Sequence, residues 1–286
     1  MPPVRILFLG TSAFAVPSLK ALATDARFSV LAVITQPDKP AGRNKELTPP
    51  PVKIAAQALG LHVLQPKDIR KEWKEFGFPK PDFLVVVSYG QILSQEILDF
   101  PTVAPVNVHA SLLPRFRGAS PLQHAILMGD KETGVTVQKM VLALDAGPIL
   151  GQSTTPVGQR ETTATLHDRL ADMGAQLLVE TLLKPLHPIP QNEANVTTCR
   201  KLSRQDGIVD TGTMMAEEID RKVRALTPWP GVTLKDQPLK LLQTSLEPTT
   251  ESTPLSCAGN STLHLITVQP AGKKPMSGAA WARGRQ

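Results

Sequence analysis

Short runs of unbroken apolar residues alternate with stretches of helical spacing through the first half of the chain. Val4–Leu9 predicts a buried strand. Pro17–Ala23 predicts a helix that opens on proline, whose missing amide hydrogen has no partner in a first turn anyway. Val30–Ile34 predicts a second buried strand, Val52–Leu59 a helix stopped at Gly60, and Phe83–Val87 a third strand followed by Ser88-Tyr89-Gly90. Val106–Ala110 reads as another strand, and Thr133–Met140 as an alternating one through Val135, Val137 and Met140. Strands that are apolar throughout belong to a parallel sheet covered on both faces. In such sheets a binding site lies at the carboxyl ends of the strands. The clearest helix is Thr163–Leu183, with Leu166, Leu170, Met173, Leu177 and Leu178 at helical spacing and Asp168, Arg169 and Asp172 on other faces.

The pattern changes at Lys184–Gln191, where Pro185, Pro188 and Pro190 exclude helix. Beyond it, Glu217–Leu226 predicts one short helix, and Leu239–Leu242 and Ser261–Ile266 predict short strands between turns. Short strands of this kind indicate a small β-rich module, possible as a barrel. Glu247–Pro254, rich in Thr, Ser and Pro, reads as a loop. The expected organisation is an α/β domain over residues 1–183, a linker over 184–202 and a β-rich domain over 203–286.

Of the 286 residues, 41% are hydrophobic and 20% charged, which fits a globular chain and excludes wholesale disorder. No stretch reaches the ~18 apolar residues of a membrane span, and Ile6–Leu9 falls short of the ~7–15 of a secretory signal core. Cys199 and Cys257 lie far apart with no CxxC spacing, so a disulfide framework is not expected and a cytoplasmic protein is. The net charge of +6 is uneven. Residues 1–183 hold 18 basic and 16 acidic side chains, and residues 184–286 hold 13 and 9. A basic C-terminal third is compatible with solubility alone or with docking of a polyanion.

Gly10-Thr11-Ser12 follows the first strand, but neither GxGxxG nor GxxxxGK[ST] is present, which favours a tight strand-to-helix turn over a nucleotide site. The dense segment is residues 105–121. Asn107 and His109, two apart on a strand, point to one face. Buried without partners, such polar groups would each cost ~1–3 kcal/mol. The loop after them carries two guanidiniums, Arg115 and Arg117. A second polar island is Leu144-Asp145-Ala146-Gly147. An amide, an imidazole and a carboxylate brought together would stabilise an oxyanion and shuttle protons. Alone, Asp145 would be a turn residue. Ser111 lacks the GxSxG elbow of a serine hydrolase, and no HExxH or other metal-ligand spacing occurs, so no metal is expected.

Asn107-x-His109-x-Ser111-Leu-Leu-Pro114-x-x-Arg117-Gly118, followed by Leu144-Asp145-x-Gly147, resembles the formyltransferases that use 10-formyltetrahydrofolate. Three further segments resemble the methionyl-tRNA formyltransferase branch of that family: Gln36–Lys53 its insertion loop, and Pro228-Trp229-Pro230-Gly231 and Gln269–Met276 its C-terminal domain. The resemblance implies a Rossmann-like N-terminal domain with a mostly parallel sheet and a C-terminal barrel of oligonucleotide-binding (OB-like) type. It implies formyl transfer from 10-formyltetrahydrofolate to the α-amine of methionine on initiator methionyl-tRNA. Asn107, His109 and Asp145 would carry the chemistry. Ser111, Leu112, Leu113 and Pro114 would line the folate site, with Ser88, Tyr89 and Gly90 approaching the pterin mainly through backbone groups. Lys39, Arg43 and Lys45 would meet the tRNA. Trp229, between two prolines, is expected as a packed anchor between domains rather than a base-stacking platform. A monomer without membrane attachment is expected. Where the family reads Met-Asp-x-Gly-Leu-Asp-x-Gly, this chain reads Met140-Val-Leu-Ala-Leu-Asp145-Ala-Gly, so the loop near the pterin should differ in shape. Alternatives are a sibling enzyme formylating a small amine such as an amino sugar nucleotide or glycinamide ribonucleotide, a formyl-folate hydrolase, and a non-catalytic RNA-binding protein. None of the three has a use for the 36–53 loop together with the catalytic islands.

Overall fold

The computed structural model describes residues 2–41 and 46–284. The chain divides into two compact units. The first comprises Met1–Gly118, Thr133–Thr155 and His167–Thr198, and the second Ala119–Glu132, Pro156–Leu166 and Cys199–Gln286. This division differs from the linear one expected from sequence. Residues 184–198 pack as part of the first unit, and two earlier segments, 119–132 and 156–166, belong to the second.

The first unit is built on a seven-stranded sheet. Its strands are β1 (Val4–Gly10), β2 (Phe28–Ile34), β3 (Val63–Leu64), β4 (Phe83–Val87), β5 (Ala104–His109), β6 (Glu132–Lys139) and β7 (Ile149–Pro156), in the order β7-β6-β5-β4-β1-β2-β3. The pairs β3–β2, β2–β1, β1–β4 and β4–β5 are parallel. β4 is buried along its whole length, as a run of five apolar residues in a doubly covered sheet must be. The pair β5–β6 is antiparallel and sets Asn107 opposite Gln138 and His109 opposite Thr136. Helices α1 (Val16–Thr24) and α2 (Pro51–Ala58) each open on proline, and the chain leaves α2 through Gly60 at φ 68°. A small antiparallel ribbon, Lys39–Ala41 with Glu46–Thr48, lies between β2 and α2 in the chain.

The long helix Thr163–Leu182 belongs to the first unit from His167 onward. Its buried stripe passes through Leu166, Leu170, Ala171, Ala175, Leu178 and Leu182, while Met173 and Leu177 are only half-buried. The stripe is displaced from the expected leucine face because small residues let the helix approach the sheet. A Cβ added at Gly174 would lie 2.9 Å from Val108 Cγ1.

The second unit carries the β-rich module. Its strands are β8 (Ile208–Val209), β9 (Val232–Leu234), β10 (Leu239–Ser245), β11 (Thr253–Ser256), β12 (Thr262–Pro270) and β13 (Met276–Ser277). They form one sheet in the order β8-β9-β10-β12-β11, with β13 also on β12; β8–β9 is parallel and the other pairs are antiparallel. The expected loop at Glu247–Pro254 ends early, because Thr253–Ser256 pairs with β12. A helix, Ala216–Leu226, buries Ile219, Asp220, Val223 and Leu226. The buried Asp220 accepts from Thr244 Oγ1 at 2.8 Å, Arg160 Nη1 at 2.8 Å and Arg224 Nε at 2.9 Å, which offsets its loss of water. Trp229 is 53% exposed, and the buried apolar residues flanking its turn are Leu226 and Val232.

Candidate active site

β1, β4 and β5 run parallel and end together at Gly10, Val87 and His109, so the loops after them share one edge of the sheet. Asn107 and His109 stand on one face of β5 by the two-residue period of a strand. Asn107 Nδ2 donates to Val86 O at 3.0 Å, which fixes the amide and leaves its second N–H uncommitted to that bond. Gln138 on β6 faces Asn107 across the antiparallel register. Its Nε2 donates to Asn107 Oδ1 at 3.3 Å and to Asp145 Oδ1 at 3.1 Å. Gln138 Oε1 is buried and has no protein partner.

Asp145 arrives from the loop after β6. Its Oδ2 accepts from Gly118 N at 2.8 Å and stands 3.7 Å from His109 Nδ1. His109 Nε2 lies 2.9 Å from Phe116 O. A carbonyl only accepts, so Nε2 carries hydrogen in that contact and Nδ1 is the nitrogen turned to the carboxylate. Both side chains are largely buried, with 8% of His109 and 13% of Asp145 exposed. The structure therefore brings Asn107, His109 and Asp145 together, with Gln138 between amide and carboxylate.

Strain collects at this edge. Four non-glycine residues among those described have left-handed backbones, and three of them, Ser88 (φ 46°), Phe116 (φ 59°) and Asp145 (φ 50°), lie in its loops. Such conformations persist only where the surroundings hold them. Gly147 is required for a different reason: a Cβ there would fall 1.7 Å from Lys139 O.

The expected folate-lining residues divide by orientation. Ser111 and Leu113 are buried and committed to the protein. Ser111 Oγ donates to Arg115 O at 2.5 Å, Thr136 Oγ1 donates to Ser111 O at 2.7 Å, and Gln152 Nε2 donates to Leu113 O at 2.9 Å. Leu112 and Pro114 are half-exposed. Ser88 and Gly90 are exposed, while the Tyr89 ring points inward among Leu7, Leu9, Leu84 and Trp73. Burial, with smaller contributions from Glu72 and Asp68, raises the Tyr89 phenol well above its ordinary pKa. The Tyr89 carbonyl already accepts from Thr11 Oγ1 at 2.7 Å and Gln36 Nε2 at 2.9 Å. Lys39 is exposed and donates to Gln36 Oε1. Arg43 and Lys45 lie outside the described residues.

Sequence reasoning missed Gln138 and the backbone groups of Phe116 and Gly118. A lone Gln on an alternating strand carries no local signal, and backbone roles have none. Arg117 was noted as a charge, but it is buried and paired with Glu193 at 2.7 Å. That pairing holds the Glu193 carboxyl below its ordinary range.

Residues 4–182 match the formyl transferase family, and residues 201–286 match the formyl transferase C-terminal domain. A methionyl-tRNA formyltransferase from Roseiflexus sp. (strain RS-1) is 43% identical, with 99% of this chain and 93% of that protein covered. The chain belongs to the methionyl-tRNA formyltransferase family. A second member, from Halorhodospira halophila, is 42% identical over 99% of this chain and 96% of its own. Among solved structures, the N-formyltransferase from Helicobacter canadensis, in complex with folinic acid and dTDP-3-aminofucose, superposes with a TM-score of 0.70. The match covers 92% of this chain and 98% of that one at 16% identity, a likeness of fold.

Proposed function

We propose that this formyltransferase moves the formyl group of 10-formyltetrahydrofolate onto the α-amine of methionine esterified to initiator tRNA, giving N-formylmethionyl-tRNA. The observation that carries the reading is the joined set Asn107, Gln138, His109 and Asp145 at the carboxyl edge of the sheet, in a chain of this family.

The site fits a folate on its own chemistry. Val141, Leu142 and Leu144, just before Asp145, are exposed apolar side chains suited to a flat aromatic ring. The buried, unpaired Gln138 Oε1 is an acceptor for an N–H donor nearby. When bound, 10-formyltetrahydrofolate supplies the formyl carbon as electrophile and N10 as leaving group. Ser88, Gly90, Leu112 and Pro114 line its site, and Tyr89, Ser111 and Leu113 shape it from behind.

Asn107, through the N–H not spent on Val86 O, and His109, through an Nε2–H that it shares with Phe116 O, stabilise the negative charge that grows on the formyl oxygen as the amine attacks. A preorganised donor of this kind is worth ~2.7–4 kcal/mol. Asp145 faces Nδ1 and keeps the imidazole placed. Together they take the proton that the amine loses as the new C–N bond forms and return one to N10 as the old bond breaks. The gap of 3.7 Å is one that closure around substrate would shorten.

Lys39, in the strand Lys39–Ala41, meets the tRNA acceptor end together with Arg43 and Lys45, since Arg and Lys pair with phosphates. The first compact unit, which holds Asn107, His109 and Asp145, carries the catalysis, and residues 203–286 contact the tRNA. The protein works as a monomer in the cytoplasm, where buried cysteines that form no disulfide, such as Cys199 and Cys257, stay reduced. Among the described residues no helix is long and apolar enough to cross a membrane.

The test is a transfer assay with 10-formyltetrahydrofolate and methionine-charged initiator tRNA, counting formylmethionyl-tRNA, beside a tube without tRNA. Product only with tRNA supports the proposal. Tetrahydrofolate released without tRNA makes the protein a hydrolase, and silence in both tubes sinks the acceptor assignment.

A further inference from the structure

The two nitrogens of His109 face two residues with left-handed backbones. Nε2 meets Phe116 O, and Nδ1 faces Asp145 Oδ2. Neither residue holds such a backbone cheaply, so each must be fixed by its surroundings. In both cases the fixing group comes from one short stretch after the long helix, residues 191–197. Gln191 Nε2 spends both amide hydrogens on the Asp145 loop, donating to Asp145 O at 2.8 Å and to Gly147 O at 2.7 Å. Thr197 Oγ1 accepts from Phe116 N at 2.9 Å. The two ends are tied through Arg117. Its Nε donates to Gln191 Oε1 at 2.9 Å, its fork grips Glu193 at 2.7 and 3.2 Å, and its backbone N–H donates to Thr197 O at 2.9 Å. Gly118, the next residue, gives its N–H to Asp145 Oδ2. The bonds close into a ring: Arg117 to Gln191, Gln191 to Asp145, Asp145 to Gly118, and Gly118 by the chain back to Arg117.

We propose that residues 191–197 form a positioning strap for His109, with Gln191 and Thr197 as positioning residues that hold Asp145 and Phe116 against its two ring nitrogens. The inference rests on the formyl-transfer reading for its effect on rate, and on geometry alone for its effect on the imidazole. Neither residue bonds to Asn107, His109 or the carboxylate of Asp145. Each acts through backbone groups of the residues that do.

The test uses Gln191→Met, which keeps the bulk and removes the amide, Thr197→Val, which removes only the hydroxyl, and Thr197→Ser, which restores it. Two quantities are read on the full chain: steady-state kcat and KM for transfer, and the long-range ¹H–¹⁵N spectrum of the His109 ring, assigned with His109→Ala. With the strap broken, kcat should fall on the order of tenfold to a hundredfold, as misplacement of a reacting group does. KM for folate should stay within about twofold, because ground-state binding is untouched. The His109 signals should move from a fixed Nε2–H form to an average of tautomers. Thr197→Ser should recover both. A melting curve confirms that each variant is folded. If Gln191→Met is not, Gln191→Asn replaces it, since the shorter amide reaches fewer of the three partners. Folded variants with wild-type kcat, or with unchanged His109 signals, overturn the strap. Absence of formyl transfer in the wild type would overturn the functional reading instead, and the His109 spectrum would still decide the strap.

Discussion

Asp145 Oδ2 stands 3.7 Å from His109 Nδ1, and the same oxygen is pinned by the Gly118 amide at 2.8 Å. The carboxylate is thus anchored by backbone and aimed at the imidazole without bonding to it. Asp145→Asn keeps an oxygen for Gly118 and removes the charge. It should lower kcat on the order of 10²–10⁴-fold, the range of a lost proton-transfer partner. His109→Ala should do the same, and the double variant should fall little below either single one, because the two act as a unit. Single-turnover rates decide the matter. A mild Asp145→Asn effect would return Asp145 to the role of a turn residue.

Gly147 sits where any side chain would strike backbone, 1.7 Å from Lys139 O for an added Cβ. Gly147→Ala must displace the loop that carries Asp145. Activity should drop at least about tenfold, as misplacement of a reacting group implies. The melting temperature should fall about 2–4 °C for each kcal/mol lost, given a chain of this size. Gly158→Ala, whose nearest neighbour would be 3.6 Å away at Glu161 Oε2, is the matched control and should change neither. Equal behaviour of the two variants would contradict the crowding described at Gly147.

Tyr89 is the only tyrosine in the chain, so a tyrosinate absorbance titration reads it alone. Burial raises its phenol above the ordinary value, and Glu72 and Asp68 add to the effect. A raised folded value means that the neutral phenol contributes stability fully below the unfolded pKa of about 10, and that this is lost as pH rises towards the folded value. In denaturant the band should appear near pH ~10; in the native protein it should appear only at higher pH, together with unfolding. A reversible native transition near ~10 would mean that the ring is open to water.

At the foot of the 39–48 ribbon, Lys53 Nζ lies 2.7 Å from Asp38 Oδ2, and Gln65 Nε2 donates to Asp38 Oδ1 at 2.8 Å. Gln65 and then Lys53 hold the Asp38 carboxyl below its ordinary range, so the clasp persists as pH falls until that lowered value is passed. Lys53→Met should loosen the ribbon and raise KM for tRNA by about three- to tenfold while folate affinity stays unchanged, as for a contact used in substrate binding alone. Steady-state kinetics with each substrate varied in turn checks this. An unchanged tRNA KM would reduce the pair to a surface ion pair with no part in tRNA binding.

Much of this protein is legible in its local pattern. The apolar runs at Val4–Leu9 and Phe83–Val87 read as buried strands and form them, and proline and Gly60 bound α2 by backbone geometry that needs no partner. The two-residue period of a strand alone put Asn107 and His109 on one face. What lies beyond a strand's own length was decided by tertiary structure. Gln138 stands beside Asn107 because β5 and β6 pair antiparallel in one register, a choice made between residues 31 apart. The long helix buries Gly174 and neighbouring small residues, with Met173 only half-buried, because close approach to Val108 outweighed leucine periodicity. Asp145 reaches His109, and Gln191 returns to hold Asp145, only once the sheet has brought 107–118, 138–147 and 191–197 to one edge. Local pattern sets backbone preference residue by residue. Hydrogen bonds between distant segments depend on which surfaces bury each other, and that is settled only when the whole first unit packs.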